Sequence, residues 1–248
     1  MLLRLWVSPS FPKSLTFRPT APSRPSNATT AGNDNGQEQH VSDVEAIYRS
    51  SFFSGLGWML HRRAWLDLEP KWPKAYWDDW LREPPQQRGR EVLRPEICRT
   101  YHFASQGVSN NQYSDFLTSI RLNDVSVDWA GKDLSYLQRT TYDEALAREL
   151  DNAPLVSLAE ARQGLGGGWD GPQNMHDVPV RVEYGDVRQF ASVARKLGIM
   201  DNVKANVPRV AYHGVVTVRL GRNKRKVHVS LPLAKTGLLR SAATVKSK

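Results

Sequence analysis

The sequence predicts an α/β protein, and a few patterned stretches predict it. Val178–Tyr184 alternates as a strand does, and Val215–Leu220 and Lys226–Leu231 read as two more strands joined by Gly221-Arg-Asn-Lys-Arg, a hairpin with a basic tip. Asp186–Leu197 instead brings Phe190, Val193, Ala194 and Leu197 onto one face, the period of a helix, with Gly198 to end it. Trp58–Glu69 spaces Trp58, Met59, Ala64, Trp65 and Leu68 in the same helical way.

Composition bounds what these elements can build. The chain has 248 residues, enough for one domain of usual size or two small ones. Hydrophobic content is 40%, which sustains a core only if the polar ends stay out of it. Net charge is +9, with the excess toward the C-terminus in Arg219–Lys226 and the final residues, and a basic surface favours anionic partners. A solvated end also accounts for such a tail. Cys98 is the single cysteine, so an intrachain disulfide and a cysteine metal cluster are both excluded. No run of about eighteen apolar residues predicts a membrane-spanning helix.

In chain order, Met1–Ala31 is rich in serine, threonine, proline and basic residues, with no acid before Asp34, which is the composition of a transit peptide or of a misplaced start. Asn27-Ala-Thr is a glycosylation sequon. Asn33-Asp34-Asn35-Gly36 is turn chemistry, and Gly55 and Gly57 fall where backbone must pass close to something. His61 falls on the polar side of its helix. Ile97–Phe103 reads as a weak strand, Ala104–Gln112 as a flexible loop, Phe116–Asn123 as a short helix and Val125–Leu137 as an extended crossing. Thr141–Ala153 reads as a helix with its acids and arginines outward. Gly164-Leu-Gly-Gly-Gly lacks the Lys-Ser/Thr of a phosphate loop and reads as an insertion.

The chemistry concentrates in Pro70–Ser109. Trp72, Trp77 and Trp80 surround Asp78-Asp79; Arg82, Arg88, Arg90, Arg94 and Arg99 follow; Gly107-Val-Ser109 closes the stretch. An aromatic wall beside a carboxylate, with cations downstream, suits a sugar carrying a phosphate leaving group: the carboxylate takes a proton and the arginines hold phosphate oxygens. Plainer roles remain open for each part. The tryptophans can serve as core, Asp78-Asp79 as the cap of a helix starting at Trp80, and Arg88, Arg90, Arg94 and Arg99 as a solvated face.

Several segments resemble the N-acetylglucosaminyltransferase I family: Gly55-Leu56-Gly57-Trp58, the thirteen-residue run Leu68–Trp80, Arg94-Pro95-Glu96-Ile97, Gly107-Val108-Ser109 and Asp133–Gln138. They run in order from about Gly32 to Pro232. The relatives that attach N-acetylglucosamine to O-linked mannose share some of these signatures. The resemblance implies the C-terminal part of a GT-A-like nucleotide-diphospho-sugar transferase domain plus a small α+β domain. Its divisions would be residues 1–31 as a targeting or unstructured segment, 32–104 as the C-terminal half of the nucleotide-sugar domain, 105–140 as closing loop and connector, 141–233 as the α+β domain and 234–248 as a basic tail.

By the same resemblance the chain is an inverting transferase. It moves N-acetylglucosamine from UDP-N-acetylglucosamine to the 2-hydroxyl of α-1,3-linked mannose in a mannose-rich N-glycan. Asp78 matches the catalytic base, Trp77 an aromatic contact to the donor sugar, Leu56 and Leu117 residues near the donor, and Arg90 and Ser109 candidates for the diphosphate. Asn110 stands where relatives often have histidine, and a family cysteine would fall near Val92. The family holds Mn2+ with a Glu-Asp-Asp triplet upstream of the matched region, and this sequence contains no such triplet. The implied compartment is the Golgi lumen, or another organelle if Met1–Ala31 directs the chain. A non-catalytic glycan- or partner-binding fragment is the alternative reading, and the chain alone is expected to be inactive. Nucleic acid is not an expected partner, because no aromatic platform accompanies the basic hairpin.

Overall fold

The computed structural model describes residues 28–101, 113–163 and 178–238. The glycine-rich 164–168 stretch, the sequon at Asn27 and most of the C-terminal tail lie outside these residues. The described residues form a mixed α/β structure with small mixed sheets. None of their helices is long and apolar enough to cross a membrane.

The first sheet uses β1 (Ala28–Thr30), β2 (Ile47–Ser50), β3 (Trp58–Leu60) and β4 (Val92–Pro95), in the order β2-β4-β1-β3. β4 runs antiparallel to β2 and parallel to β1, which pairs antiparallel with β3. Ala28–Thr30 therefore sits inside the sheet, although the sequence reading assigned it to the leading segment. Trp58–Leu60 is also a strand, not the first turn of a helix. The helix begins later, as α1 (Arg62–Leu68), with exposed His61 as its cap: the ring Nδ1 accepts from Arg63 N at 3.2 Å.

The strand expected at Ile97–Phe103 lies earlier, at β4. Pro95 falls where β4 has run past β1 and has a neighbour on one side only, the place where a sheet tolerates proline. Beyond it the chain turns into a buried knot. Asn33 Nδ2 donates to Glu96 O at 2.6 Å, and Gly36 packs so closely that a Cβ there would sit 2.8 Å from Cys98 Sγ.

After α1 come α2 (Trp77–Arg82), α3 (Pro84–Gln87) and α4 (Ser114–Leu117). α4 is shorter than the helix expected over Phe116–Asn123, because Ile120 and Leu122 are drawn into bridges with Gln37 and Cys98. The crossing that follows buries Val127, Trp129 and Leu137 against Ile47 and Leu93. It leads into α5 (Arg139–Asn152), whose inward face is Asp143, Leu146, Ala147 and Leu150. Asp143 thus points inward, against expectation. Its carboxylate accepts the Tyr212 hydroxyl at 2.5 Å, the partner a buried carboxylate needs.

The second sheet follows α6 (Leu158–Gln163). It comprises β5 (Val180–Glu183), then α7 (Val187–Leu197), the short pair β6 (Val203–Lys204) and β7 (Val207–Pro208), and the hairpin β8 (Val215–Leu220) and β9 (Arg225–Ser230). The three main strands lie in the order β5-β9-β8, with β5 parallel to β9 and β8 antiparallel to it. α7 forms as its pattern predicts. Asp186 caps it, accepting from Arg188 N and Gln189 N at 2.8 and 2.9 Å, and Gly198 ends it in the left-handed region at φ 70°. Phe190, Ala194 and Leu197 pack on the valines of β5, β8 and β9. Leu238, past the expected boundary at 233, packs with Leu146, Ala147 and Leu150.

Polar contacts stitch the two sheets together. Met200 N donates to Asn35 Oδ1 and Ser51 N to Ala211 O, both at 2.8 Å. Glu91 is paired with Arg49 and contacts His213 Nε2 at 3.1 Å. Glu96 accepts from Arg219 Nε at 2.9 Å and from the Tyr48 hydroxyl at 2.7 Å. These bonds fix where the hairpin and the β6–β7 turn lie relative to the first sheet.

Candidate active site

Asp78 and Asp79 occupy the first turn of α2, not a cap position before it. Tyr76 precedes the helix in the left-handed region at φ 54° and supplies no side-chain cap, so the two carboxylates meet the positive end of the helix from within. Arg82, one turn later, is reached by the i, i+3 and i, i+4 spacing. Its Nη1 donates to Asp79 Oδ1 at 2.8 Å and to Asp78 Oδ2 at 3.0 Å. Its Nε donates to Phe53 O at 2.9 Å, and its guanidinium lies 4.8 Å from the Phe52 ring centre. Arg82 is buried, while the Asp78 side chain is 41% exposed. An exposed carboxylate is therefore held from behind by a buried cation.

Gly55 passes beside this pair. It lies at φ 75°, and a Cβ there would come within 3.9 Å of Asp78 Cβ and 3.7 Å of Arg82 Nη2. Those are ordinary contact distances, so it is the backbone angle, not the space, that calls for glycine. Leu56 follows on the same turn, half-buried, with its carbonyl accepting from Thr100 Oγ1 at 3.4 Å. Trp77 packs into an aromatic cluster, 5.3 Å from Trp58, 6.1 Å from Phe53 and stacked at 6.3 Å on Trp72. The cluster sets the start of α2 and so the place of Asp78.

Arg90 and Arg82 line one small cavity of about 40 Å³. The Arg90 guanidinium is nonetheless engaged elsewhere, with Asp67 and with Gln86 O at 2.6 Å. Leu117 ends α4, half-buried. Ser109 lies outside the described residues.

The sequence reading missed the cations that come from the second half of the chain. Lys204 Nζ lies 3.2 Å from Asp79. Burial opposes ionisation of Asp79, but the bonds from Lys204 and Arg82 outweigh it and hold this carboxyl below the usual range. Arg209 Nη1 donates to buried Asp34 at 3.1 Å, and its guanidinium packs 5.3 Å from the Phe52 ring and 4.8 Å from Tyr113. Burial pushes the Asp34 carboxyl up, with Arg209 pulling the other way. Arg82 stands at i, i+4 spacing from Asp78, a local relation along one helix. Lys204 and Arg209 carry no local signal, because only the junction of the two sheets brings them here.

Cys98 is no nucleophile. Its thiol is fully buried, bonded to Asn33 N and O, and burial pushes it up to about 12. Among the described residues, no group of three or more His, Cys, Asp or Glu side chains is placed to hold a metal ion. Asp78 and Asp79 are taken by Arg82, and Asp34 by Arg209, so this donor set does not fit manganese.

The GNT-I family profile matches residues 23–240 of this chain. The α-1,3-mannosyl-glycoprotein 2-β-N-acetylglucosaminyltransferase of Arabidopsis thaliana is 45% identical over 205 residues, which cover 80% of this chain and 43% of the relative. The chain thus spans less than half the length of that enzyme. On the extent of both matches, the chain belongs to the GNT-I family.

Proposed function

We propose that this chain carries the acceptor-activating half of an inverting β-1,2-N-acetylglucosaminyltransferase, with Asp78 as general base. The supporting observation is the carboxylate itself, exposed, beside a glycine turn, with Oδ2 held by buried Arg82. In this reading the mannose 2-hydroxyl gives its proton to Asp78 as its oxygen bonds to the anomeric carbon of UDP-N-acetylglucosamine. The bond from that carbon to the phosphate oxygen breaks, UDP leaves, and configuration inverts. The reading gives Trp77, Leu56 and Leu117 roles at the donor sugar and keeps Arg90 and Ser109 as candidates for binding the diphosphate, Arg90 only once it is released from Asp67. The GT-A-like half-domain over 32–104, the closing segment 105–140 and the α+β domain 141–233 belong to the same reading. So do the N-glycan acceptor and a Golgi location. No step is routed through manganese, because the carboxylates at hand are already paired with arginines.

Positioned proton transfer contributes about 10²–10⁴-fold. Asp78→Asn is therefore expected to remove transfer to a mannose acceptor, followed by mass spectrometry, while UDP-N-acetylglucosamine binding by calorimetry persists. Equal turnover in the variant takes Asp78 out of the role. A second reading, a non-catalytic binding fragment, is favoured by Arg90, whose guanidinium is tied to Asp67. Calorimetry with UDP-N-acetylglucosamine tests the second: micromolar donor binding to this chain counts against a non-catalytic fragment.

A further inference from the structure

A second opening lies on the other face of the first sheet. Val92 packs among the tryptophans, and its neighbour Leu93 packs with Ile47, Val127, Trp129 and Leu137, so consecutive residues of β4 face opposite sides. Asp78 belongs to the tryptophan side. On the other side, a cleft of about 470 Å³ opens between β2, the stretch around Asp133–Tyr136, α5 and the β8–β9 hairpin. That size is ordinary for a small-molecule site, about 300–1,000 Å³.

The register of the hairpin sets what the cleft presents. Thr217 pairs with His228 and Arg219 with Lys226, so all four share one face of the strands. Glu149 meets them from α5. Its Oε1 lies 2.8 Å from Lys226 Nζ and 3.1 Å from His228 Nε2. Burial works against ionisation of Glu149, but these partners hold it down at about 2, so it stays a carboxylate. His228 Nε2 is then the donor to Glu149. Thr217 Oγ1 lies 2.9 Å from His228 Nδ1. A hydroxyl oxygen has two lone pairs, so Thr217 keeps acceptor capacity toward the cleft whichever way that bond runs.

These facts choose a ligand class. An anion is disfavoured, because each cation at the cleft is already held: Lys226 by Glu149, Arg219 by Glu96 at 2.9 Å and Lys132 by Glu45 at 2.6 Å. The lining acids Asp43, Glu45, Asp133 and Glu149 outnumber those cations. A wholly apolar ligand would bury paired charges without replacing their water. A ligand with many hydroxyl donors and an apolar ring face answers both demands. Glu149 and Thr217 accept hydroxyls, and the partly exposed ring of Tyr136 offers a platform beside Ile47 and Leu134.

We propose that this cleft binds a neutral mono- or disaccharide, its ring on Tyr136 and neighbouring hydroxyls on Glu149 and Thr217. The site is separate from Asp78 and does not depend on the role given to it. The test is a titration of the ¹⁵N-labelled chain with methyl α-mannopyranoside, methyl β-N-acetylglucosaminide and inorganic phosphate. Saturable amide shifts at Tyr136, Ala145 and Thr217 are expected with a sugar and not with phosphate. Thr217→Val and, at the surface, Tyr136→Ala should each weaken binding about tenfold, while Asp78→Asn leaves these shifts unchanged. The proposal is overturned if neither sugar gives saturable shifts there, if phosphate does, or if Asp78→Asn removes them.

Discussion

Lys204 Nζ lies 3.2 Å from the Asp79 carboxylate, so the short β6–β7 pair is moored to the helix that carries Asp78. The contact holds Asp79 ionised against partial burial. A carboxyl depressed in the folded state contributes stability above its unfolded pKa and loses it as pH falls through the folded value. Lys204→Ala is expected to move the Asp79 titration upward, read by carboxyl ¹³C NMR. Because both side chains are partly exposed, added salt should shrink the difference. An unmoved titration contradicts the mooring.

Glu149 should make the protein acid-sensitive in a defined window. Its carboxyl sits at about 2 beside His228 and Lys226, against 4.5 when unpaired. The sign follows from that depression: the stabilisation is whole above about 4.5 and drains away toward about 2. Glu149→Gln should therefore flatten the slope of unfolding free energy against pH between those limits. A slope identical to that of the parent rules this out.

Glu91 is buried with Arg49, and Arg139 and His213 also lie against it. Removing Glu91 leaves the buried Arg49 guanidinium its bond to Leu137 O but no carboxylate to neutralise its charge. Glu91→Ala is expected to cost about 3–5 kcal/mol in urea unfolding, and Arg49→Met in the same background should recover part of that loss. A cost below about 1 kcal/mol contradicts the burial of Arg49.

Cys98 should be silent toward alkylating reagents at pH 8 while the chain is folded, and should react fully once unfolded. Burial keeps its thiol protonated at that pH. Native-state labelling followed by mass spectrometry checks it, and rapid modification of folded protein refutes it.

The second sheet was legible where local pattern and tertiary role agree. Phe190, Ala194 and Leu197 share a helix face, Asp186 and Gly198 sit at its ends, and the β8–β9 hairpin falls within a residue of its expected bounds. The first sheet was legible less well. Trp58 and Leu68 fit one helical stripe in sequence, yet Thr30 pairs with Trp58 and turns that residue into a strand. Periodicity counts neighbours along the chain and is blind to a partner from residues 28–30. Asp143 shows the same limit: an acid in a helix reads as solvated until Tyr212 arrives from a distant strand. At the candidate site, Trp77 and Asp78 are adjacent in the sequence, whereas Gly55, far earlier in the chain, is brought beside Asp78 only by the fold. Lys204 and Arg209 were invisible because the side chains they meet lie far away in sequence.

Phe52 receives two guanidinium groups, Arg82 from the helix of Asp78 and Arg209 from beyond the β6–β7 pair. The aim of the Asp78 side chain is thus shared property of both sheets. Grafting the Trp-Asp-Asp-Trp segment onto a foreign scaffold would carry the letters across and leave behind the buttress, and the transplanted acid would swing free.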